Sequence, residues 1–165
     1  MKLPKQKVYV ESSVISYLTS RPSNDLIKCA NQKITKEWWQ NAAERFDLFV
    51  SVVVIKEISA GDRDAAKSRI AITENLSLVD LPAEAVAMAR AIIEQSAMPK
   101  KAEVDAMHVA IASYARHDYL VTWNCTHIAN AEIRKAIEII ARKFNVNCPV
   151  ICTPLELMGM KGRKL

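Results

Sequence analysis

The segment Val8-Tyr9-Val10-Glu11-Ser12-Ser13-Val14 contains the pattern that decides the fold. Its apolar residues predict a short strand that ends at a carboxylate. Ser12 or Ser13 can then cap a short helix that begins directly afterwards. A strand that leads at once into a helix is the repeating unit of α/β proteins.

The same alternation of short apolar runs and longer segments of helical period continues along the chain. Further strands are predicted at 48–52, 76–81, 119–123 and 150–151. Helices are predicted at 27–42, around 55–58 with an end at Gly61, and at 64–74, 82–97, 100–116 and 131–144. We therefore expect one α/β domain with a mostly parallel sheet over residues 1–159, followed by a basic tail at 160–165.

The composition is that of an ordinary globular protein. The 165-residue chain is 50% apolar and 25% charged, with a formal net charge of +5. That positive charge permits a polyanionic partner, but it serves solubility equally well. No apolar stretch approaches the roughly 20 residues that span a bilayer, and no secretory segment follows the basic start. A cytoplasmic location without membrane association is expected.

Several common kinds of functional site have no motif in this chain. A Walker loop, a G-x-G-x-x-G motif and a G-x-S-x-G elbow are all absent from the sequence. The four cysteines form no C-x-x-C pair. Cys125, His127, Cys148 and Cys152 could supply zinc ligands, although their spacing matches no common zinc module.

Polar side chains follow the predicted strands or lie on the helices behind them. Glu11 and Asn124 each end an apolar run, Glu57 follows the second run by about one helical turn, and Asp105 lies near the start of the helix after Pro99. In an open parallel sheet these places meet at the carboxyl ends of the strands. Carboxylates gathered there would repel one another unless a cation held them, and oxygen ligands suit Mg²⁺ or Mn²⁺. The sequence therefore suggests metal-dependent phosphodiester cleavage.

Each of these residues also has an ordinary explanation. Glu11 could be a solvated strand end, and Glu57 a helical side chain that points to water. Asp105 would be favoured in the first turn of a helix by the helix dipole alone. Asn124 could be a turn residue after its strand. It is the combined placement of these residues that favours the metal site.

Other side chains could support such a site. Ser13 could position Glu11, Glu103 is a spare ligand, and His108 could be a proton donor or a satisfied core histidine. His127 could face a substrate or cap its loop. Contacts with a nucleic-acid substrate could come from cations near the acidic residues and from one aromatic ring, namely Arg21, Lys56, Lys100, Lys101 and Trp123. Solvated cations and core packing are the ordinary alternatives.

Four segments of the chain resemble the acidic motifs of PIN-domain ribonucleases, and among these VapC-type toxins in particular. They occur in the family's order, at 8–14, 52–58, 104–112 and 119–124. The resemblance implies a three-layer α/β/α fold and cleavage of RNA by metal-activated water. It also implies that Glu11, Glu57 and Asp105 hold Mg²⁺ or Mn²⁺, with Asn124 completing the site. A homodimer and an antitoxin protein that covers the site are further implications.

The chain departs from the motifs of that family at two positions. The first acid is usually Asp and is here Glu11, and the fourth is often Asp and is here Asn124. The longer side chain displaces the carboxylate by about one carbon–carbon bond, and Mg²⁺ tolerates misplaced ligands poorly. A catalytically weak or inactive RNA-binding module with the same fold is therefore the alternative.

Overall fold

The computed structural model describes residues 4–159. Residues 1–3 and the predicted basic tail at 160–165 lie outside the described residues. The strands are short and form one five-stranded sheet in the order β3-β2-β1-β4-β5, with every neighbouring pair parallel. They are β1 (Gln6–Val10), β2 (Phe46–Ser51), β3 (Ser77–Val79), β4 (Tyr119–Val121) and β5 (Val150–Cys152). The predicted α/β class is confirmed, and the sheet over residues 4–159 is parallel throughout rather than mostly so.

Helices connect consecutive strands, as parallel pairing requires. They are α1 (Ser12–Thr19), α2 (Leu26–Arg45), α3 (Val52–Ile58), α4 (Arg63–Thr73), α5 (Ala83–Gln95), α6 (Glu103–Tyr114) and α7 (Ala131–Lys143). The helix predicted at 100–116 is divided, because a 3-10 turn at Lys100–Ala102 follows Pro99 and α6 begins only at Glu103. Across residues 4–159, no helix combines the length and apolar composition that crossing a membrane requires.

The order of the strands reverses at β1. The chain moves outward from β1 through β2 to β3, then returns to place β4 on the other side of β1. Since such crossovers are right-handed, the reversal moves the helices from one face of the sheet to the other. Accordingly α1 contacts α2, α3 and α4, and α5 contacts both α6 and α7. The sheet thus lies between two helical layers, and the carboxyl ends of β1 and β4 flank its topological switch point.

The core fills both faces of the sheet. The strand residues Val8, Tyr9 and Val10 are completely buried, as expected where helices cover both sides of a strand. Of the adjacent tryptophans, Trp38 is buried and Trp39 is partly buried against the core. This core fixes the positions of the ends of β1 and β4 relative to each other, and these positions determine where the acidic side chains lie.

Candidate acidic site at the carboxyl edge of the sheet

Glu11 is a buried carboxylate at the switch point. It follows β1 directly, its side chain is only 4% exposed, and its backbone N–H donates to the Val121 carbonyl of β4 at 3.1 Å. The Glu11 carboxylate also caps α1, because it accepts a hydrogen bond from Ser13 N at 3.2 Å. The expectation that Ser12 or Ser13 caps this helix was wrong. The carboxylate can reach over the first turn, and the serine hydroxyls point back to it instead.

Four donors surround the Glu11 carboxylate. One oxygen accepts from Ser12 Oγ at 2.6 Å and from Ser13 N; the other accepts from Ser13 Oγ and from Thr122 Oγ1, the latter at 2.6 Å. Hydrogen bonds to a charged acceptor offset much of the cost of burying it. The carboxylate is therefore held in one orientation within residues 4–159 without an ion pair to a basic side chain.

Thr122 ties the end of β4 to Glu11, and the sequence did not single it out. Its fully buried hydroxyl donates to Glu11 and accepts from Asn124 N at 2.9 Å, while Ser13 Oγ accepts from Trp123 N at 2.8 Å. Because these N–H groups bond to side chains, β4 ends at Val121, and the prediction of a strand up to Trp123 was wrong. A hydroxyl residue between a strand and a candidate ligand was the available sequence signal.

His108 joins Glu57 to the buried side of the site. The imidazole is completely buried, with its Nε2 at 2.7 Å from Glu57 Oε2 and its Nδ1 at 2.7 Å from the Tyr9 hydroxyl. The Tyr9 hydroxyl also lies 2.7 Å from Ser51 Oγ. A continuous hydrogen-bonded chain thus runs from the end of β2 to the carboxylate of Glu57.

Glu57 and His108 favour the charged form in each other. Burial alone would raise the pKa of Glu57, but hydrogen bonds from His108 and Ser12, together with the His108 charge, lower it below its ordinary value. Burial would lower the pKa of His108, but the bond to Glu57 and the negative charges of Glu11, Glu57 and Asp105 raise it instead. Without a cation between them the two residues form an ion pair.

The carboxylates of Glu11 and Glu57 and the imidazole of His108 are spaced almost as the ligands of a single metal ion would be. One oxygen each from Glu11 and Glu57 and one ring nitrogen of His108 all lie within 4.8 Å of one another. Ligands of one divalent ion with bonds of about 2.1 Å are separated by at most about 4.2 Å across the ion, so small side-chain movements would suffice. Oxygen and imidazole donors are both common in protein metal sites, and the residues present therefore fit a divalent cation.

Asp105 lies beside this group rather than within it. Its Oδ2 is 2.7 Å from His127 Nδ1, and both side chains are about one-fifth exposed. His127 N in turn donates to Asn124 Oδ1 at 3.0 Å. The structure therefore places the amide oxygen of Asn124 in the turn after β4, and it places Asp105 where it faces His127.

The candidate ligand Glu103 and the predicted RNA-contacting cations are exposed. Glu103, Lys56 and Glu57 border a groove of about 430 Å³, whose apolar lining includes Val104 and Met107. The predicted RNA-contacting cations are Arg21, Lys56, Lys100 and Lys101.

Trp123 is held on the side of the site next to α1 and α2. Its ring stacks on Tyr17 with centroids 6.0 Å apart, and its Nε1 donates to Thr35 Oγ1 at 2.7 Å. The ring is only partly buried, so packing occupies one of its faces and its indole N–H.

The cysteines stand apart from the acidic group. Among residues 4–159, the group of His, Cys, Asp and Glu side chains with ligand spacing contains Glu11, Glu57 and His108 and no cysteine. Cys125 is exposed, whereas burial raises the pKa of the Cys148 and Cys152 thiols to about 12.

Comparisons with known proteins identify the fold. The sequence matches no family model and no curated protein. A chain in the structure of VapBC2 from Rickettsia felis, bound to a DNA fragment from the promoter, superimposes with a TM-score of 0.58 at 12% identity, covering 90% of this chain and 98% of that one. VapC20 from Mycobacterium tuberculosis, a toxin that cleaves the sarcin-ricin loop, superimposes with a TM-score of 0.53 at 16% identity, covering 68% and 86%. At these identities the likeness concerns the backbone alone. The chain therefore has the PIN-like α/β fold of VapC toxin structures.

Proposed function

We propose that this protein is a metal-dependent endoribonuclease and the toxin of a toxin–antitoxin pair. The observation that carries the proposal is the convergence of Glu11, Glu57 and His108 at the topological switch point, with ligand atoms within 4.8 Å of one another. Open α/β sheets bind their ligands at this place. The fold shared with VapC20, a toxin that cleaves the sarcin-ricin loop, supports RNA as the substrate.

The bound cation and the acidic residues would each have a separate role in cleavage. A bound Mg²⁺ or Mn²⁺ would lower the pKa of water and offset negative charge on the phosphoryl oxygens. Glu11 would hold the cation from the end of β1 and Glu57 from α3, with Glu11 kept in place by Thr122 and Ser13. Asp105 lies close enough to the group to influence His108 electrostatically, and it would act on the solvent-facing side.

Substrate and partner contacts would lie around the same edge. The exposed Lys56, Lys100 and Lys101 would neutralise backbone phosphates that the acidic group otherwise repels. An antitoxin protein that covers the site is supported by the shared fold with a chain of the VapBC2 structure. A homodimer in the cytoplasm completes the proposal.

The test is to incubate the purified protein with a mixed RNA pool in three separate reactions, which contain EDTA, Mg²⁺ or Mn²⁺, and to measure RNA cleavage in each. Glu57→Gln and Asp105→Asn should each lower metal-dependent cleavage at least tenfold. Glu57→Gln removes a negative charge that would contact the cation, and Asp105→Asn removes one that lies beside it. Glu94→Gln is the matched control, since it makes the same change on an exposed position of α5. Equal cleavage by all four proteins, or cleavage unaffected by EDTA, would contradict the assignment.

The second candidate is an RNA-binding module with weak or no catalysis. Two observations favour it: four protein donors already engage the Glu11 carboxylate, and the Asn124 oxygen accepts from His127 N. Glu11→Asp separates the candidates, because it restores the usual acid of the family at this position. RNA binding with no cleavage by the native protein and clear cleavage by the variant would establish the second candidate.

A further inference from the structure

We propose that His108 is a direct metal ligand, through Nε2, and that the site therefore selects Mn²⁺ or a later divalent transition metal over Mg²⁺. This deepens the proposed function and rests on it. The sequence resemblance implies a site of oxygen ligands, whereas the structure adds a nitrogen to it. The argument depends on how His108 is held, on the distances, and on the burial of the site.

The His108 ring is oriented as metal-binding histidines are. Its Nδ1 faces the Tyr9 hydroxyl at 2.7 Å, so a proton on Nδ1 would be donated there and the Nε2 lone pair would point toward Glu57. The Tyr9 hydroxyl can in turn donate a hydrogen bond to Ser51 Oγ at 2.7 Å. A hydrogen bond on the nitrogen that does not bind the metal is what normally fixes the tautomer of a ligating histidine.

The distances place His108 and Glu57 as neighbouring ligands of one ion. His108 Nε2 and Glu57 Oε2 are 2.7 Å apart. Adjacent ligands of an octahedral ion with bonds of about 2.1 Å are separated by roughly 3 Å. An ion held by both atoms would replace the proton that they share. The two atoms would separate slightly, and the imidazole or the carboxylate would turn toward the ion. Glu11 would supply a further ligand, because one of its carboxylate oxygens lies within 4.8 Å of both atoms.

The donor set and its burial both disfavour Mg²⁺. Imidazole nitrogen suits transition metals, whose affinity for such sites rises from Mn²⁺ towards Cu²⁺, whereas Mg²⁺ prefers oxygen ligands. Mg²⁺ also gives up its water shell reluctantly. His108 is completely buried and Glu11 is 4% exposed, so an ion bound by both would have to give up water on its inner side.

The direct test is pulsed electron paramagnetic resonance of Mn²⁺ bound to the wild-type protein. The spectrum should show coupling to one imidazole nitrogen. The chain has three histidines, so two variants assign the signal: it should disappear in His108→Gln and persist in His127→Gln. A spectrum without nitrogen coupling, or a signal that is lost with His127 instead, would overturn the proposal.

Binding affinities give the second readout. In equilibrium dialysis the wild-type protein should bind Mn²⁺ at least tenfold more tightly than Mg²⁺. His108→Gln should reduce the ratio of the two affinities to about one, through loss of Mn²⁺ affinity. Tyr9→Phe keeps the aromatic ring at position 9 but removes the hydrogen-bond partner of His108 Nδ1, so it should reduce the ratio partly. An unchanged ratio in folded His108→Gln would show that His108 only pairs with Glu57. If that variant fails to fold, Tyr9→Phe and the wild-type spectrum decide the question.

Neither readout uses RNA cleavage, so the two proposals fail separately. Nitrogen coupling in a protein that cleaves no RNA would refute the nuclease and retain the metal site. Cleavage of RNA with Mg²⁺, together with an Mn²⁺ spectrum that lacks nitrogen coupling, would retain the nuclease and refute His108 as a metal ligand.

Discussion

Thr122→Val tests whether the hydrogen bonds around Glu11 are as strong as the geometry indicates. The substitution keeps the branched shape of the side chain and removes one buried hydroxyl, which donates to Glu11 Oε2 at 2.6 Å and accepts from Asn124 N at 2.9 Å. A hydrogen bond to a charged group contributes about 1.5–3 kcal/mol. Asn124 is only partly buried, so its N–H can turn to water at small cost.

The expected loss in the free energy of unfolding is about 2 kcal/mol, close to the middle of the range for such a bond. For a domain of this length the melting temperature should fall by about 4–8 °C. Urea denaturation followed by circular dichroism measures the change, and an unchanged slope against urea would show that the fold is preserved.

Thr126→Val is the matched control, because it makes the same chemical change at an exposed position after β4. It should alter the free energy of unfolding by less than about 0.5 kcal/mol. A loss of similar size in both variants would assign the effect to valine rather than to the Glu11 bond. A loss below about 0.5 kcal/mol for Thr122→Val would refute the reasoning outright, since a buried carboxylate that loses a donor must be destabilised.

Three further results are expected. Ile137→Ala should lower the free energy of unfolding by about 2–5 kcal/mol in urea titrations, because the side chain is fully buried in α7; a loss under about 1 kcal/mol would contradict its core position. Burial lowers the pKa of His117, so the unfolded chain binds this proton more tightly and stability should fall as pH drops below about 6.5, the usual histidine value. Urea midpoints measured from pH 7.5 to 5.0 should show a smaller fall for His117→Gln, and an identical pH dependence would argue against the shift. At pH 8 iodoacetamide should modify Cys125, which is exposed, and spare Cys148 and Cys152, whose thiol pKa values burial raises to about 12. Peptide mass mapping of the native protein would show this, and rapid modification of Cys152 would count against the fold.

Much of the fold could be predicted from local patterns. Each predicted strand is present within residues 4–159, and most helix boundaries lie within a few residues of the prediction. The prediction failed where side chains compete with backbone hydrogen bonds. The side chain of Glu11, rather than a serine, caps α1. The hydroxyls of Ser13 and Thr122 accept hydrogen bonds from Trp123 N and Asn124 N, so β4 ends before the predicted residue. Such competition depends on atoms from distant segments, which local periodicity does not contain.

The sequence by itself determined that acidic side chains follow β1 and β2, and parallel strands necessarily bring such positions to one edge of the sheet. Only the tertiary structure decided which side of α6 faces them. Asp105 and His108 lie three residues apart and therefore share one side of α6, so a modest rotation of the helix decides which of the two is buried. The packing of α6 against α5 and the sheet buried His108 against Tyr9 and left Asp105 toward His127 and solvent. The rotation of a helix about its own axis follows from the complementary shape of the whole core, and that is a property of the packed chain rather than of any segment of it.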